Sequence, residues 1–284
     1  MVRGLSQILL LGIALQLCTL LSPFYLQWIV DEALATADRD LITVLGIGFL
    51  ILTLLQTAIS TVRSWITTTL AASLNFQWQG NVFAHLMELP LPWFAKRHLG
   101  EIFSRFGSIQ IIQKGLTTQL IESIIDSLLV IVTLTMMCLY DIKIASISVI
   151  AALSYMTLRK ASLQPLKEAT SEQILYSAKQ STHFLESARG IQSIRLFNRL
   201  EERRISWMDA LANQFNMDLK ISRLSISFQA INALLFGFER IIVIWLGAQA
   251  VINNQLTIGM LFAFISYKEQ FSQRIAALTD KYLN

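Results

Sequence analysis

Phe184-Leu-Glu-Ser-Ala-Arg-Gly-Ile-Gln-Ser-Ile-Arg-Leu-Phe197 lies in the middle of a polar insert, residues 161–227, flanked by apolar runs. The insert keeps a helical period along its length and has one soft break, at Arg189-Gly190. That pattern predicts two long helices that leave a membrane, travel into the cytosol and turn back, with residues 184–197 as the turn. Counted from the apolar run before it, the outgoing helix would hold about 44 residues and reach about 65 Å at 1.5 Å per residue. About 30 Å of this crosses the hydrocarbon, which leaves about 35 Å outside. Pro165, near the start of the outgoing arm, is where a bend is expected. The returning arm, residues 198–227, contains neither Gly nor Pro, and Leu200, Trp207, Leu211, Phe215 and Leu219 predict an apolar stripe that must bury against another helix.

Outward from the insert, composition sets the class. The chain of 284 residues is 54% hydrophobic and 15% charged, against about a quarter charged in soluble domains. Apolar runs long enough to span a bilayer fall at about residues 5–30, 41–62, 120–140, 142–158, 228–252 and 256–275. The expected fold is an all-α membrane protein with six spans and cytosolic inserts at 63–119 and 159–227. Ala33-Leu-Ala35 resembles a signal-peptidase site, but the first run is far longer than a signal peptide's apolar region. Pro23 is expected to kink that span. Asp31, Glu32, Asp38, Arg39 and Asp40 read as an acidic loop, Asp141 and Lys143 as a tight turn, and Asn253-Asn-Gln255 as another.

Orientation follows from Lys and Arg. The short loops hold only Arg39 and Lys143, whereas the two inserts hold five and eleven basic residues. This places the inserts and both termini in the cytosol. The net charge of +4, with bases interleaved among acids, is no nucleic-acid signature. Cys18 and Cys138 both lie in apolar runs and suit small buried hydrophobes; His98 and His183 have no Cys or His at metal-ligand spacing.

Several polar residues call for a reading beside their bland one. Glu239 and Arg240 fall within the fifth span, where a charge costs at least about 2.5–3.5 kcal/mol unless paired or hydrated. They are read as facing the bundle interior and lining a wet pathway, with Gln16, Gln27 and Gln56 as weaker lining; an interhelix ion pair is the structural alternative. Glu122 and Asp126 would either attract a cationic substrate or sit at the interface. Trp28, Trp65, Trp93, Tyr140 and Trp245 suit interfacial anchoring, and Trp207 suits packing between the arms. Arg199, Glu201, Glu202, Arg203 and Arg204 read as a solvated helix face placed where it could also aid docking.

The first insert repeats the plan. It runs out from Arg63 to Met87, meets Leu89-Pro-Leu-Pro-Trp-Phe94 and continues into Lys96-Arg-His-Leu-Gly-Glu-Ile-Phe-Ser-Arg105. The prolines end the outgoing helix, and Glu101 and Arg105 stand at favourable i,i+4 spacing. Leu91 to Phe106 resembles the first intracellular loop of type I ABC exporters, with its P-x-x-F-F … G-E-[IL]-x-S-R pattern. Leu185 to Phe197 resembles their second loop, E-x-x-x-G-I-x-[ST]-[IV]-[KR]. Ser22-Pro-Phe-Tyr-Leu-Gln-Trp-Ile-Val-Asp31, Arg97-His-Leu-Gly100 and Phe236-Gly-Phe-Glu-Arg-Ile-Ile-Val-Ile-Trp245 look like the peptidase-containing exporters of the colicin V secretion type.

The resemblance implies a type I exporter transmembrane domain: a homodimer of six-span halves in the bacterial inner membrane, around a pathway for an exported peptide or bacteriocin. It implies a first coupling tip at His98, Leu99, Gly100, Glu101, Ile102, Phe103, Ser104 and Arg105. The second would be Glu186, Arg189, Gly190, Ile191, Gln192, Ser193, Ile194 and Arg195. Each tip would seat in an ABC ATPase domain that binds ATP and Mg. A periplasmic adaptor and an outer-membrane channel are implied as further partners. No G-x-x-x-x-G-K-[ST] occurs, and neither cysteine has a papain-like context. The expectation is therefore a transmembrane unit without nucleotide-binding or peptidase domains, with no catalytic, cofactor or metal residue of its own. A secondary transporter or channel, or a non-transporting membrane scaffold, stays open as an alternative reading of these spans.

Overall fold

The computed structural model describes residues 2–90, 92–93 and 120–283. The elements are α1 (Val2–Trp28), a π-helical segment (Ile29–Ala33), α2 (Arg39–Met87), α3 (Leu120–Tyr140), α4 (Ile142–Arg189), α5 (Ile191–Leu196), α6 (Leu200–Ile252) and α7 (Ile258–Leu283). No strand occurs among the described residues. Stretches in α1, α2, α3, α4 and α6 are long and apolar enough to cross a bilayer by length and composition. α7, which covers the run at 256–275, is not among the five; it carries Lys268, Glu269 and Arg274 within that run.

The helix ends follow local chemistry. Asp38 caps α2 by accepting from the Asp40 and Leu41 N–H groups at 2.9 and 3.0 Å, and Asp141 caps α4 through Lys143 and Ile144 at 2.7 and 3.0 Å. Each carboxylate satisfies N–H groups that a helix start leaves unpaired. α2 stops at Met87, ahead of Pro90. Along α2, the hydroxyls of Thr53, Thr57 and Thr61 each donate to the carbonyl four residues back, so none needs water. α1 runs through Pro23 and α4 through Pro165. Asp31 and Glu32, expected in a loop, instead belong to the π-helical extension of α1. There the Leu34 N–H reaches five residues back to Ile29 at 2.9 Å, which keeps the chain helical through two acidic residues. Ala37, Asn198 and Asn254 adopt φ of 52°, 53° and 57° and close the preceding helical segments with paired reverse hydrogen bonds, a Schellman arrangement.

The chain divides into two compact units. The first comprises residues 1–148 and 243–282. Its buried side chains include Leu129, Thr133 and Met137 of α3, each four apart, and Ala263, Phe264, Tyr267 and Phe271 of α7. Gly247 of α6 admits the Leu261 side chain where a Cβ would collide with it. Within this unit α2 is the exception. None of its spanning window is buried, so its surface awaits lipid or another chain.

The second unit comprises residues 149–242. Its less exposed positions recur alternately three and four apart, at 155, 159, 162, 166, 169, 173, 176, 180, 183 and 187 on α4. On α6 they fall at 203, 207, 210, 214, 217, 221, 224 and 228. Alternating steps of three and four are those of a coiled-coil seam. The sequence-predicted stripe differs. Leu211 sits at the seam edge, but Phe215 and Leu219 are 57% and 55% exposed. Steps of four advance about 400° on a helix of 3.6 residues per turn, so each step drifts about 40° off the seam. By Leu219 the drift has carried the side chain to the open face.

Candidate functional site: the α4–α5–α6 tip

α4 ends at Arg189 and α5 begins at Ile191, at the break read from the sequence. Gly190 has φ −90° and ψ 11°, which any residue can adopt, and a Cβ there would sit 3.1 Å from the Glu186 carbonyl oxygen. The glycine therefore relieves a close approach. α5 closes through the Arg199 N–H to the Ile194 carbonyl at 2.9 Å and the Asn198 N–H to the Arg195 carbonyl at 3.1 Å. The break at Gly190 and this C-terminal closure thus bound a short helix of six residues between long arms.

The tip carries exposed apolar side chains. Leu196 and Phe197 are 75% and 76% exposed, with Ile191 and Leu200 also open. Ile194 is half-buried and borders two clefts. One, of about 360 Å³, is also lined by Glu186, Ser193, Phe197 and Arg203. The other, of about 210 Å³, is lined by Phe184, Ile191, Leu200 and Trp207. Trp207 thus lies against residues of both arms, where the sequence placed it.

Arg203 organises the base of the tip. Its Nε donates to Ser187 Oγ at 2.8 Å, and its Nη2 to Glu186 Oε2 at 2.9 Å and to the His183 carbonyl at 3.4 Å. His183 Nε2 pairs with Ser206 Oγ at 3.0 Å. Sequence reasoning assigned Arg203 to a solvated face. Its neighbours Arg199 and Arg204 do form exposed pairs with Glu202 and Glu201, but Arg203 turns inward. The available signal was its spacing, four before Trp207 on the seam. Of the expected tip residues, Glu186 faces back to Arg203, while Arg189, Gln192, Ser193 and Arg195 are exposed. The other tip, His98, Leu99, Gly100, Glu101, Ile102, Phe103, Ser104 and Arg105, lies outside the described residues.

Glu239 is buried and Arg240 is exposed, and successive helical residues project about 100° apart. Gln16 is buried and Gln56 half-buried. Gln27 Oε1 accepts from the Tyr140 hydroxyl at 2.6 Å. Cys18 is half-buried and Cys138 exposed.

Glu122 and Asp126 find their partners on α7. Arg274 Nη1 stands 2.8 Å from Asp126, and Lys281 Nζ is 3.0 Å from both Asp126 and Glu122. Burial lowers the Lys281 pKa, but its bonds to Glu122 and Asp126 outweigh this and raise it above the ordinary value. Among the described residues no group of three or more His, Cys, Asp or Glu converges to hold a metal.

A family model described as the ABC transporter transmembrane region matches residues 5–275. The chain belongs to that family. It is 33% identical over 278 residues to the colicin V secretion/processing ATP-binding protein CvaB of Escherichia coli. It is 32% identical over the same length to the probable microcin-H47 secretion/processing ATP-binding protein MchF of Escherichia coli. Both alignments take in 98% of this chain and 40% of the relative. A more distant relative is the cyclolysin secretion/processing ATP-binding protein CyaB of Bordetella pertussis, 22% identical over 97% of the chain and 39% of its own length. This ABC transmembrane region thus spans about 40% of the curated relatives it matches. Its helical membrane fold agrees with the exporter resemblance carried by residues 91–106 and 185–197.

Proposed function

We propose that this ABC transmembrane region is the membrane half of an ATP-driven exporter of the bacterial inner membrane. In this reading it pairs with a second copy and provides the pathway for a peptide. ATP and Mg act on a nucleotide-binding domain, and the cytosolic tips receive its motion. Six spans, cytosolic termini, and an adaptor and outer-membrane channel beyond the membrane belong to the same proposal. The relatives' printed roles in bacteriocin and toxin secretion support the cargo class.

The observation that carries the reading is the tip. α5 is a short helix closed at its C-terminal end, presenting Ile191, Leu196 and Phe197 to solvent at the junction of two long helices. Apolar side chains exposed at such a place suit insertion into a groove of a partner domain. ATP would shift the conformational equilibrium through its different affinity for two states of that domain.

The test uses the chain together with its ATPase domain. Gly190→Pro and Arg195→Glu should leave ATP hydrolysis measurable while export per ATP falls roughly tenfold or more, within the range of ordinary coupling free energies. Unchanged export per ATP in both variants would overturn the coupling role. Export driven by an ion gradient without any ATPase domain would favour a secondary transporter.

A further inference from the structure

We propose that Asp31 is a releasable latch between α1 and α7, and that this latch must part for cargo to leave the outer end of the pathway. The inference rests on the exporter reading above, with the α1–α2 connection on the side away from the inserts.

The latch is built from three local features. First, the π-helical turn Ile29–Ala33 adds a residue to one turn of the helix, which rotates Asp31 relative to a continuous α-helix. Second, the Asp31 carboxylate lies across the start of α7. One oxygen accepts from the Gly259 N–H at 2.8 Å and the other from the Thr257 hydroxyl. Thr257 in turn accepts from the Met260 N–H at 3.0 Å. The N–H groups that α7 leaves unpaired at its start are therefore shared between its own cap and a carboxylate 228 residues earlier in the chain. Third, Gly259 makes the approach possible. A Cβ there would stand 2.5 Å from the Asp31 carboxylate and 2.6 Å from the Gln27 carbonyl oxygen.

The surroundings distinguish a latch from core packing. One turn inward, Tyr140 of α3 donates to Gln27. Further along α7, Tyr267 donates to the Leu20 carbonyl at 2.7 Å. Those contacts are part-buried, as is the Asp31–Gly259 bond, whereas the Asp31–Thr257 bond is exposed. Water can reach the half-exposed Asp31 carboxylate and take over its bond to the exposed Thr257 hydroxyl at little net cost. At the other end of α7, Asp126 is buried between Arg274 and Lys281, where separation would strand a charge. α7 is thus held by one tie that water can replace and one that it cannot. Opening at the Asp31 end, pivoting on the Asp126 end, is the motion this asymmetry permits.

The experiment uses the full exporter with its ATPase domain, reconstituted in vesicles, carrying Cys18→Ser, Cys138→Ser, Asp31→Cys and Thr257→Cys. Oxidation should protect both new thiols from alkylation, reduce ATP-driven export to background, and leave it recoverable by reductant. Full export from cross-linked protein would overturn the latch. Failure to cross-link would overturn the juxtaposition, and a loss that reductant does not reverse would also count against the proposal. If the parent without these two new cysteines exports nothing with ATP, the exporter reading falls instead, while cross-linking still reports whether the two positions meet.

Discussion

α7 and the α4–α6 seam solve the same problem, holding a long helix in place, by opposite means. α7 buries Phe264 and Tyr267 completely, accepts a cap from Asp31, and pins its far end through two cations on Asp126. The seam joins half-exposed polar groups: Arg203 with Glu186, His183 with Ser206, and Lys220 with Glu172. It leaves Ile174, Leu175, Phe215 and Leu219 more than half exposed. One region completes its core from this chain. The other keeps an apolar face that remains to be covered, as a partner-dependent element would.

The sharpest way to break the contrast is at Asp126. Asp126→Ala should destabilise the protein by about 2–3 kcal/mol, short of the full cost of a broken buried pair because Arg274 and Lys281 can turn towards water. The measurement is the unfolding midpoint in detergent; a shift near zero would mean that α7 is held by packing alone. Next comes Arg203→Ala in the seam, where about 1–2 kcal/mol is expected for losing charged hydrogen bonds at a part-exposed site. A larger loss there than at Asp126 would reverse the comparison.

The pH dependence of the Asp126 tie gives a smaller effect. The raised Lys281 pKa contributes stability that is fully present below its ordinary value of 10.5 and is lost as pH climbs through the raised value. Stability should therefore decline on the alkaline side, and Lys281→Gln should flatten that decline. The smallest effect belongs to Lys220→Ala. Both partners of the Lys220–Glu172 pair are about half exposed, so the change should stay under about 0.5 kcal/mol. A clearly larger value would show that this pair is buried by something outside the chain.

The features legible in the sequence were those that one helix decides for itself. The break at Gly190 and the stop before Pro90 depend on residues within a turn of one another; Asp38 and Asp141, read only as loop and turn residues, turn out to cap the helices that follow them. Arg203 was hidden because its partners, Glu186 and Ser187, belong to the preceding helix. The stripe through Phe215 and Leu219 misled because a sequence shows spacing without the phase at which a neighbour meets it.

Composition and local chemistry by themselves determined an all-helical membrane chain, its apolar runs and the position of the turn at Arg189-Gly190, since helix propensity, chain entropy and hydrophobic length act along the sequence. Tertiary structure alone decided that Asp31 caps a helix 228 residues away, that Glu122 and Asp126 serve cations of α7, and that Glu239 and Arg240 project to different surroundings. Those outcomes depend on which faces of separate helices meet, and that is fixed only when they pack.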